Sequence, residues 1–188
     1  MKKYKALSSA DYKLDKLVIK TIDDSHIQQI RVWRNQQIDI LRQNQIITEE
    51  CQVQYFNTHI FPLFESSTPV QVLFNCYYED KFIGYGGIVH ISYENKIGEI
   101  SFLLDPQITT NQFYESVFIL FLELMDKIAF HELGLNKLFT ETFSTRMIHV
   151  HILENAGYLS EGIRRSHVIL NGRVADIYLH AKLSKPLK

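Results

Sequence analysis

Side chains able to transfer protons near neutral pH occur on two predicted strands and one predicted helix. His90 ends the strand predicted over 81–92, and Glu99 lies early in the strand predicted over 96–104. These strands are predicted neighbours in a meander, so His90 and Glu99 are expected to lie close together. His149, on a later short helix, could also give or take a proton. These residues indicate general acid–base catalysis. The alternatives are a solvated strand face for Glu99, a hydrogen-bonded structural role for His90, and a surface or packing role for His149.

Charge and cysteine spacing do not favour several other functions. Lys plus Arg number 20 and Asp plus Glu 21, so the net charge of −1 provides no field that would hold nucleic acid or an anionic membrane. Cys51 and Cys76 stand in neither CxxC nor His-paired spacing, so neither a metal site nor a disulfide framework is indicated. Gly84, Gly86 and Gly87 lie inside a strand, which predicts a bulge or the close approach of a ligand rather than a dinucleotide loop.

Length and composition predict one globular domain. The chain has 188 residues, 46% hydrophobic and 22% charged, within the usual domain range of about 100 to 200 residues. No apolar run approaches the roughly 20 residues that span a bilayer. We therefore expect a single domain over residues 1–188, no membrane segment, and the reducing cytoplasm as its location.

The hydrophobic pattern predicts an α/β (α+β) domain of about seven strands and four helices. Thr48 can cap the second helix, Gly134 suits the end of the long third helix, and Asn171-Gly172 predicts a tight hairpin turn. The predicted order is strand 17–22, helices from about 26 and 48, strands 70–78, 81–92 and 96–104, helix 110–133, strand 137–143, helix 146–155, and strands 158–170 and 173–183.

Three sequence strings in this order resemble the GNAT acyltransferases over about residues 17–183. More narrowly, they are similar to the branch that contains ribosomal-protein N-terminal acetyltransferases and amino-sugar acetyltransferases of surface-glycan pathways, such as the pseudaminic-acid type. The strings are Ile30–Asn35 followed by Ile47–Glu50, then Gly98–Pro106, and finally Leu153–Tyr158 leading to Glu161-Gly162.

The resemblance implies a mixed, mostly antiparallel sheet that splays between its fourth and fifth strands. A strand that leaves its neighbour has unpaired N–H and C=O groups, and an extended amide ligand can bond them. In this family the pantetheine arm of acetyl-CoA does so, while the pyrophosphate lies on amides that open the next helix. The implied cofactor-binding residues are Phe102, Leu103, Leu104, Thr109, Thr110, Asn111, Gln112, Phe143 and Arg146.

The resemblance also implies direct acetyl transfer to a primary amine, without a covalent enzyme intermediate and without a metal. The amine must lose a proton, and Glu99, at the family's position for a strand carboxylate, and the adjacent His90 are the candidate bases. Leu153 stands where many members have the tyrosine that protonates the leaving thiolate. His149, or His151 beside it, is the candidate acid, and the thiolate can also take a proton from water.

The segment before the long helix departs from the family pattern. No glycine lies between Glu99 and Leu133, and no Lys or Arg lies between Ile97 and Met125. Arg146 stands where the family often has Asn. Pyrophosphate binding would therefore depend on backbone amides, the dipole of a helix that Thr110 or Asn111 could cap, and remote basic residues.

The predicted acceptor is the amine of a small molecule, a nucleotide-linked amino sugar of bacterial glycan synthesis. Arg31 and Arg34 could contact its anionic group, and Tyr85 and Tyr178 could stack on its rings. One alternative acceptor is a protein N-terminus. Another alternative is a GNAT-shaped module that binds acyl-CoA without turnover. A homodimer is one option for the oligomeric state, which the sequence leaves open.

Overall fold

Eight strands and four α-helices form one mixed α/β layer structure in the computed structural model, which describes residues 2–108 and 110–185. The strand order in the sheet is β1-β2-β3-β4-β5-β6-β8-β7. The elements are β1 (Asp11–Leu14), β2 (Leu17–Thr21), α1 (Ile27–Gln36), α2 (Glu49–Tyr55), β3 (Val72–Tyr78), β4 (Lys81–Ser92), β5 (Ile97–Leu104), α3 (Asn111–Lys127), β6 (Lys137–Phe143), α4 (Met147–Asn155), β7 (Leu159–Leu170) and β8 (Arg173–Leu183).

The eighth strand, β1, was not predicted from the sequence. It pairs antiparallel with β2 from Asp11 opposite Lys20 to Leu14 opposite Leu17, around a turn in which Asp15 has a φ of 51°. Its four residues are only half buried and carry charges, so the local pattern is too short to predict a strand. The other seven strands and the four helices confirm the predicted fold class.

The hydrogen-bonded ladder between β5 and β6 is short and then stops. The two strands run parallel, and their described residues pair only where Ile97 to Glu99 lie opposite Lys137 to Phe139. Beyond this point the two strands no longer pair with each other, although β5 continues to Leu104 and β6 to Phe143. The predicted splay between the fourth and fifth predicted strands is therefore present, as a split between β5 and β6.

The free side of β5 faces this split. Asp105 N donates to Ile83 O at 2.8 Å, a bond that flanks the pair formed by Leu104 and Gly84. In an antiparallel ladder this places the peptide groups of Leu104 on the side away from β4, and alternation does the same for Phe102. Backbone groups of β5 are thus directed into the gap, where an extended ligand could bond them.

The helices cover the two faces of the sheet at this point. On one face Phe102 of β5 packs on Phe118 and Phe121 of α3, with ring centroids 4.8 and 4.5 Å apart. On the other face Arg34 of α1 reaches Tyr85 of β4. The split therefore opens between an α3–α4 face and an α1–α2 face. Within the described residues, no helix has the length and apolar character needed to cross a membrane.

The glycine cluster of β4 allows neighbouring strands to approach closely. A Cβ atom at Gly87 would lie 1.9 Å from Val72 O of β3, and one at Gly86 would lie 2.5 Å from Ser101 O of β5. The β3–β4 register shifts between Cys76 and Tyr77, next to the pair formed by Cys76 and Gly84, which fits the predicted bulge. At Gly86 and Gly87 the group that approaches closely is adjacent backbone.

We expect Gly87→Ala to lower the free energy of unfolding by about 3 kcal/mol, because the added Cβ has no room without moving β3. The control is Gly172→Ala in the β7–β8 turn, where nothing lies within 4 Å and only the φ of 75° is unfavourable, at about 1 kcal/mol. Urea unfolding measures both. A Gly87→Ala protein no less stable than the control would contradict the close packing of β3 on β4.

Candidate active site

A cavity of about 570 Å³ lies on the α1–α2 face, over β4 and β5. It is bounded by α1, by α2, by the segment between these helices, and by the exposed face of the strands. Its position beside the split would bring a bound molecule next to the free backbone of β5. Its polar and aromatic walls include Arg34, Arg42, Tyr55, Tyr85, His90 and Ser101.

His90 and Glu99 form a hydrogen-bonded pair at the edge of this cavity. His90 Nδ1 lies 2.7 Å from Glu99 Oε2, which confirms that the meander brings these residues together. The Glu99 side chain is 4% exposed and the His90 side chain is 67% exposed. An imidazole that donates Nδ1–H to a carboxylate keeps its Nε2 lone pair free to accept a proton. The alternative reading of Glu99 as a solvated surface residue is wrong.

A local distortion of β4 directs His90 toward the cavity. His90 has a φ of 49°, and the β4–β5 register shifts between Val89 and Ser92. Ile91 N donates instead to Val70 O at 2.9 Å. A positive φ is uncommon for residues other than glycine, and bulges of this kind commonly re-aim a side chain next to a functional site.

Arg42, which the sequence did not single out, binds the other side of Glu99. Its Nη2 donates to Glu99 Oε1, and its Nη1 lies 3.4 Å from Glu141 Oε2 on β6. Arg164 of β7 also binds Glu141, with its Nη1 2.7 Å from Glu141 Oε1. No local pattern in the sequence marks Arg42, because it lies in an irregular segment 57 positions before Glu99.

Of the two predicted acceptor-binding arginines, only Arg34 reaches the cavity. Arg34 Nη1 donates to Tyr85 OH at 2.5 Å and its Nε donates to Gln43 Oε1 at 3.1 Å, and both Arg34 and Tyr85 line the cavity. Arg31 instead donates to Glu49 Oε1 at 2.9 Å, which ties α1 to the start of α2. The structure therefore gives Arg31 a position that suits helix packing.

Tyr178 also lies away from the cavity. It is opposite Thr142 in the β6–β8 ladder, and it shares a face of β8 with Lys182. Lys182 Nζ donates to Asp126 Oδ2 of α3 at 2.6 Å, so this is the α3–α4 face. The predicted pairing of Tyr85 and Tyr178 around one acceptor is therefore not formed.

On the α3–α4 face, the buried His149 forms a cluster with the half-buried Tyr114 and Arg146. Tyr114 OH lies 2.6 Å from His149 Nδ1, and Arg146 Nη2 donates to Tyr114 OH at 2.9 Å. Burial, then the charges of Arg146 and His180, hold the pKa of His149 well below its ordinary value, so its ring is neutral at pH 7. His151 points to solvent, with its side chain 84% exposed.

Helical spacing in the sequence could have marked Tyr114 as a residue near β5. Tyr114 lies four positions before Phe118 on α3, so the two share a helix face, and Phe118 packs on Phe102 of β5. Burial raises the pKa of Tyr114, with Arg146 acting against that rise, so its hydroxyl is protonated at neutral pH. A tyrosine on an otherwise apolar buried face needs a polar partner.

The predicted cofactor residues lie along the split and at the two helix ends beside it. Thr110 is the N-cap residue of α3, but its side chain makes no cap hydrogen bond, so the predicted side-chain cap at this position is wrong. The Leu104 carbonyl accepts from Gln37 Nε2 at 2.9 Å, so one group of β5 already has a partner. Phe102, Leu103 and Leu104 line β5, Phe143 ends β6, Arg146 precedes α4, Asn111 and Gln112 open α3, and Thr109 lies outside the described residues.

Two buried hydroxyls along β6 have no hydrogen-bond partner within the described part of the chain. They are Thr140 Oγ1 and Thr142 Oγ1, and these residues are 4% and 2% exposed. Both lie on β6 beyond Phe139, the last residue that pairs with β5. Buried hydroxyls normally have a partner, so these two fit a site that a hydrogen-bonding ligand completes.

Comparison with known proteins identifies the family. Residues 19–179 match the family described as acetyltransferase (GNAT) domain. The chain belongs to the GNAT acetyltransferases. This finding confirms the resemblance to the GNAT superfamily, and with it an acetyltransferase that uses acetyl-CoA. The chain has no match among curated protein sequences.

Solved structures of GNAT enzymes share the fold. Spermidine N-acetyltransferase from Vibrio cholerae, in complex with CoA and spermine, is 17% identical and has a TM-score of 0.79, with 91% of this chain and 97% of that chain covered. A dodecameric structure of the V. cholerae spermidine N-acetyltransferase in an intermediate state is 18% identical, with a TM-score of 0.75 and coverages of 91% and 95%. At these identities the likeness establishes the fold alone.

The residues along the split fit acetyl-CoA. The inward-facing peptide groups of β5 can bond the amides of its extended arm, and the unpartnered hydroxyls of Thr140 and Thr142 line the facing strand. Acetyl-CoA supplies an acetyl thioester, and the chain must hold that group at the end of the split nearest Glu99.

We expect Thr142→Val to weaken CoA binding about fivefold, the loss of one hydrogen bond, without lowering the stability of the free protein. The stability of the free protein should not fall, because the Thr142 hydroxyl has no hydrogen-bond partner there. Thermal unfolding with and without CoA measures both effects, and Thr68→Val at an exposed position is the matched control. An unchanged CoA-induced shift would place Thr142 outside the donor site.

We expect stability to fall as the pH drops below about 6.5, in part through His149. The native state holds this ring neutral, whereas the unfolded chain binds a proton below the ordinary pKa of His, so acid favours unfolding. His149→Gln should therefore reduce the loss of unfolding free energy between pH 7 and 5.5 by about 1 kcal/mol. Urea unfolding at both pH values tests this, with the exposed His151→Gln as control. An undiminished loss in His149→Gln would contradict it.

Proposed function

We propose that this GNAT enzyme transfers an acetyl group from acetyl-CoA directly to the primary amine of a small anionic acceptor, of the nucleotide-linked amino-sugar class. The observation that carries the proposal is the cavity beside the split. It combines an oriented imidazole, His90, with two arginines, Arg34 and Arg42. No Asp or Glu occurs among the described residues that line it.

The cavity's charge favours an anionic acceptor over a polyamine. A polycation such as spermine, present in the V. cholerae complex, would need carboxylates to balance its charge, whereas Arg34, whose side-chain partners are the uncharged Tyr85 and Gln43, would repel it. An arginine fork suits a phosphate or carboxylate, and Tyr55 and Tyr85 offer ring faces for a base or sugar.

A protein N-terminus is a poorer fit for the same reason. Peptide recognition at an acetylation site needs acidic groups to hold the ammonium, and the arginine-lined cavity lacks them among its described lining residues. A bounded volume of about 570 Å³ is also within the usual size range of small-molecule sites.

We assign the base role to His90 and the orienting role to Glu99. The acceptor amine must lose a proton as its nitrogen bonds the acetyl carbon, and His90 Nε2 is the atom free to take that proton. Glu99 accepts Nδ1–H at 2.7 Å and fixes the ring's tautomer. This refines the two sequence-derived candidates, because the buried carboxylate already has partners on both oxygens.

We assign protonation of the leaving sulfur to Tyr114, supported by His149 and Arg146. The carbon–sulfur bond breaks as the new carbon–nitrogen bond forms, and the sulfur then accepts one proton. Leu153 is fully buried and carries no proton to give. Tyr114 holds one, and Arg146, 2.9 Å from its oxygen, stabilises the negative charge left behind. In this proposal Tyr114 takes the acid role predicted for His149, because the neutral ring of His149 is a poorer proton donor, and His149 is the hydrogen-bond partner of Tyr114.

Self-association is also part of the proposal. The V. cholerae spermidine N-acetyltransferase of the same fold is dodecameric, and β7, an edge strand here, exposes Leu159, Ile163 and Ile169. Light scattering of the purified protein would give the number of subunits.

Release of free CoA thiol from acetyl-CoA tests the proposed function. We expect release with a nucleotide-linked amino sugar and little with spermidine or a peptide amine. His90→Gln should lower the rate about 100-fold or more while the CoA-induced thermal shift is kept, because the base is lost but the donor site is intact.

Two outcomes would contradict the proposal. Faster release with spermidine than with the anionic acceptor would overturn the acceptor class. A CoA-induced thermal shift without thiol release, across sugar, polyamine and peptide amines, would indicate the module that binds acyl-CoA without turnover.

A further inference from the structure

We infer that Arg42 is a positioning residue that keeps the Glu99–His90 pair ready to accept a proton by bridging the two strands that separate at the split. The inference rests on the proposed function, because it assigns Arg42 a part in the base step. It concerns a residue that touches neither the acceptor amine nor the thioester and acts through Glu99.

The bridge spans the split at the point where it opens. One guanidinium group reaches two carboxylates, Glu99 on β5 and Glu141 on β6. Glu99 is opposite Phe139, the last β6 residue that pairs with β5, and Glu141 lies two residues further on the same face of β6. Arg42 thus replaces, with side-chain contacts, the backbone ladder that ends there.

The groups form a row of alternating charge. It runs from Glu99 through Arg42 and Glu141 to Arg164, whose Nη1 lies 2.7 Å from Glu141 Oε1, and the His90 ring bonds Glu99 at its other end. The Glu99 side chain is 4% exposed, whereas the Arg42 side chain is 48% exposed. An exposed ion pair would contribute little, but a buried carboxylate needs a bonded cation to remain ionised. The main effect of Arg42 is therefore to keep the buried Glu99 carboxylate ionised.

The cation on Glu99 decides which form His90 takes. With Arg42 on Oε1, the negative charge of Glu99 is balanced, and His90 can stay neutral with Nε2 free. Without Arg42, the buried carboxylate would be balanced by a protonated His90, and a protonated imidazole cannot take a proton from an amine. Loss of Arg42 should therefore shift the active form to higher pH.

Arg42 also connects this pair to the acceptor wall. It follows the turn Ile38–Ile40 between α1 and α2, and the same segment contributes Leu41 and Ile47 to the cavity. The charged or titratable groups around the pair, on every element that faces it, are Arg34 on α1, Cys51 and Tyr55 on α2, Tyr85 on β4, Arg42 on this segment, Glu141 on β6 and Arg164 on β7.

Two variants of opposite charge effect test the inference. Arg42→Gln removes a positive charge beside Glu99, so protonation of His90 should shift to higher pH. Glu141→Gln removes a negative charge from the far side of Arg42, so the shift should be smaller and in the opposite direction. Arg173→Gln, an equal charge change on the exposed β7–β8 hairpin, is the control and should cause no shift.

Two readouts follow the shift. One is the ascending limb of the pH–rate profile for thiol release with the anionic acceptor. The other is the NMR titration of the His90 ring in the free protein, assigned by its loss in His90→Gln. The titration needs neither substrate, so it decides the role of Arg42 even if no amine gives thiol release, an outcome that would overturn only the proposed function.

Shifts of opposite sign in Arg42→Gln and Glu141→Gln would support the inference, because a merely structural bridge predicts the same effect from removal of either partner. No shift in Arg42→Gln, or shifts in one direction for both, would overturn it. If Arg42→Gln does not fold, Arg42→Lys keeps the charge but not the span of the guanidinium, and a smaller upward shift is expected. An unmoved His90 titration in a folded Arg42→Lys protein would then count against the role.

Discussion

The geometry of this GNAT enzyme depends on hydrogen-bonding groups of β5 that its sheet does not use. The ladder between β5 and β6 ends at Glu99, and the peptide groups of Phe102 point into the gap that follows. Buried peptide groups need partners, so the gap is costly unless helices, side chains or a ligand complete it. Gln37 bonds one carbonyl, at Leu104, and the remaining groups could bond an amide chain.

The split also separates the two halves of the chemistry. On the α1–α2 face, the cavity carries arginines and the exposed imidazole of His90, where an acceptor would lose its proton. On the α3–α4 face, Tyr114, Arg146 and His149 form a hydrogen-bonded cluster where a proton could be returned. Arg42 bridges β5 and β6 at the start of the split, through its ion pairs with Glu99 and Glu141. In the proposed mechanism, proton removal and proton return would thus take place on opposite faces of one sheet.

In the proposed mechanism, departures from the family pattern are offset by groups on other elements. Leu153 replaces the family's tyrosine, yet a hydroxyl from α3, on Tyr114, lies beside His149 of the same helix as Leu153. The segment before α3 lacks glycine and basic residues, and Arg146 reaches across from the start of α4 to that helix. Such exchanges keep the type of chemical group near the split while changing the element that supplies it.

Much of the fold and part of the site were readable from the sequence. Periodicity and turn residues determined seven strands, four helices and the meander that joins His90 to Glu99, because these depend on neighbours close in the chain. The strand β1 was too short for that pattern. Arg42 contacts Glu99 from 57 positions away, and Arg31 and Arg34 differ in role although they share one helix. Only packing in three dimensions decides such contacts, because a side chain's partner across the sheet leaves no periodic trace in the sequence.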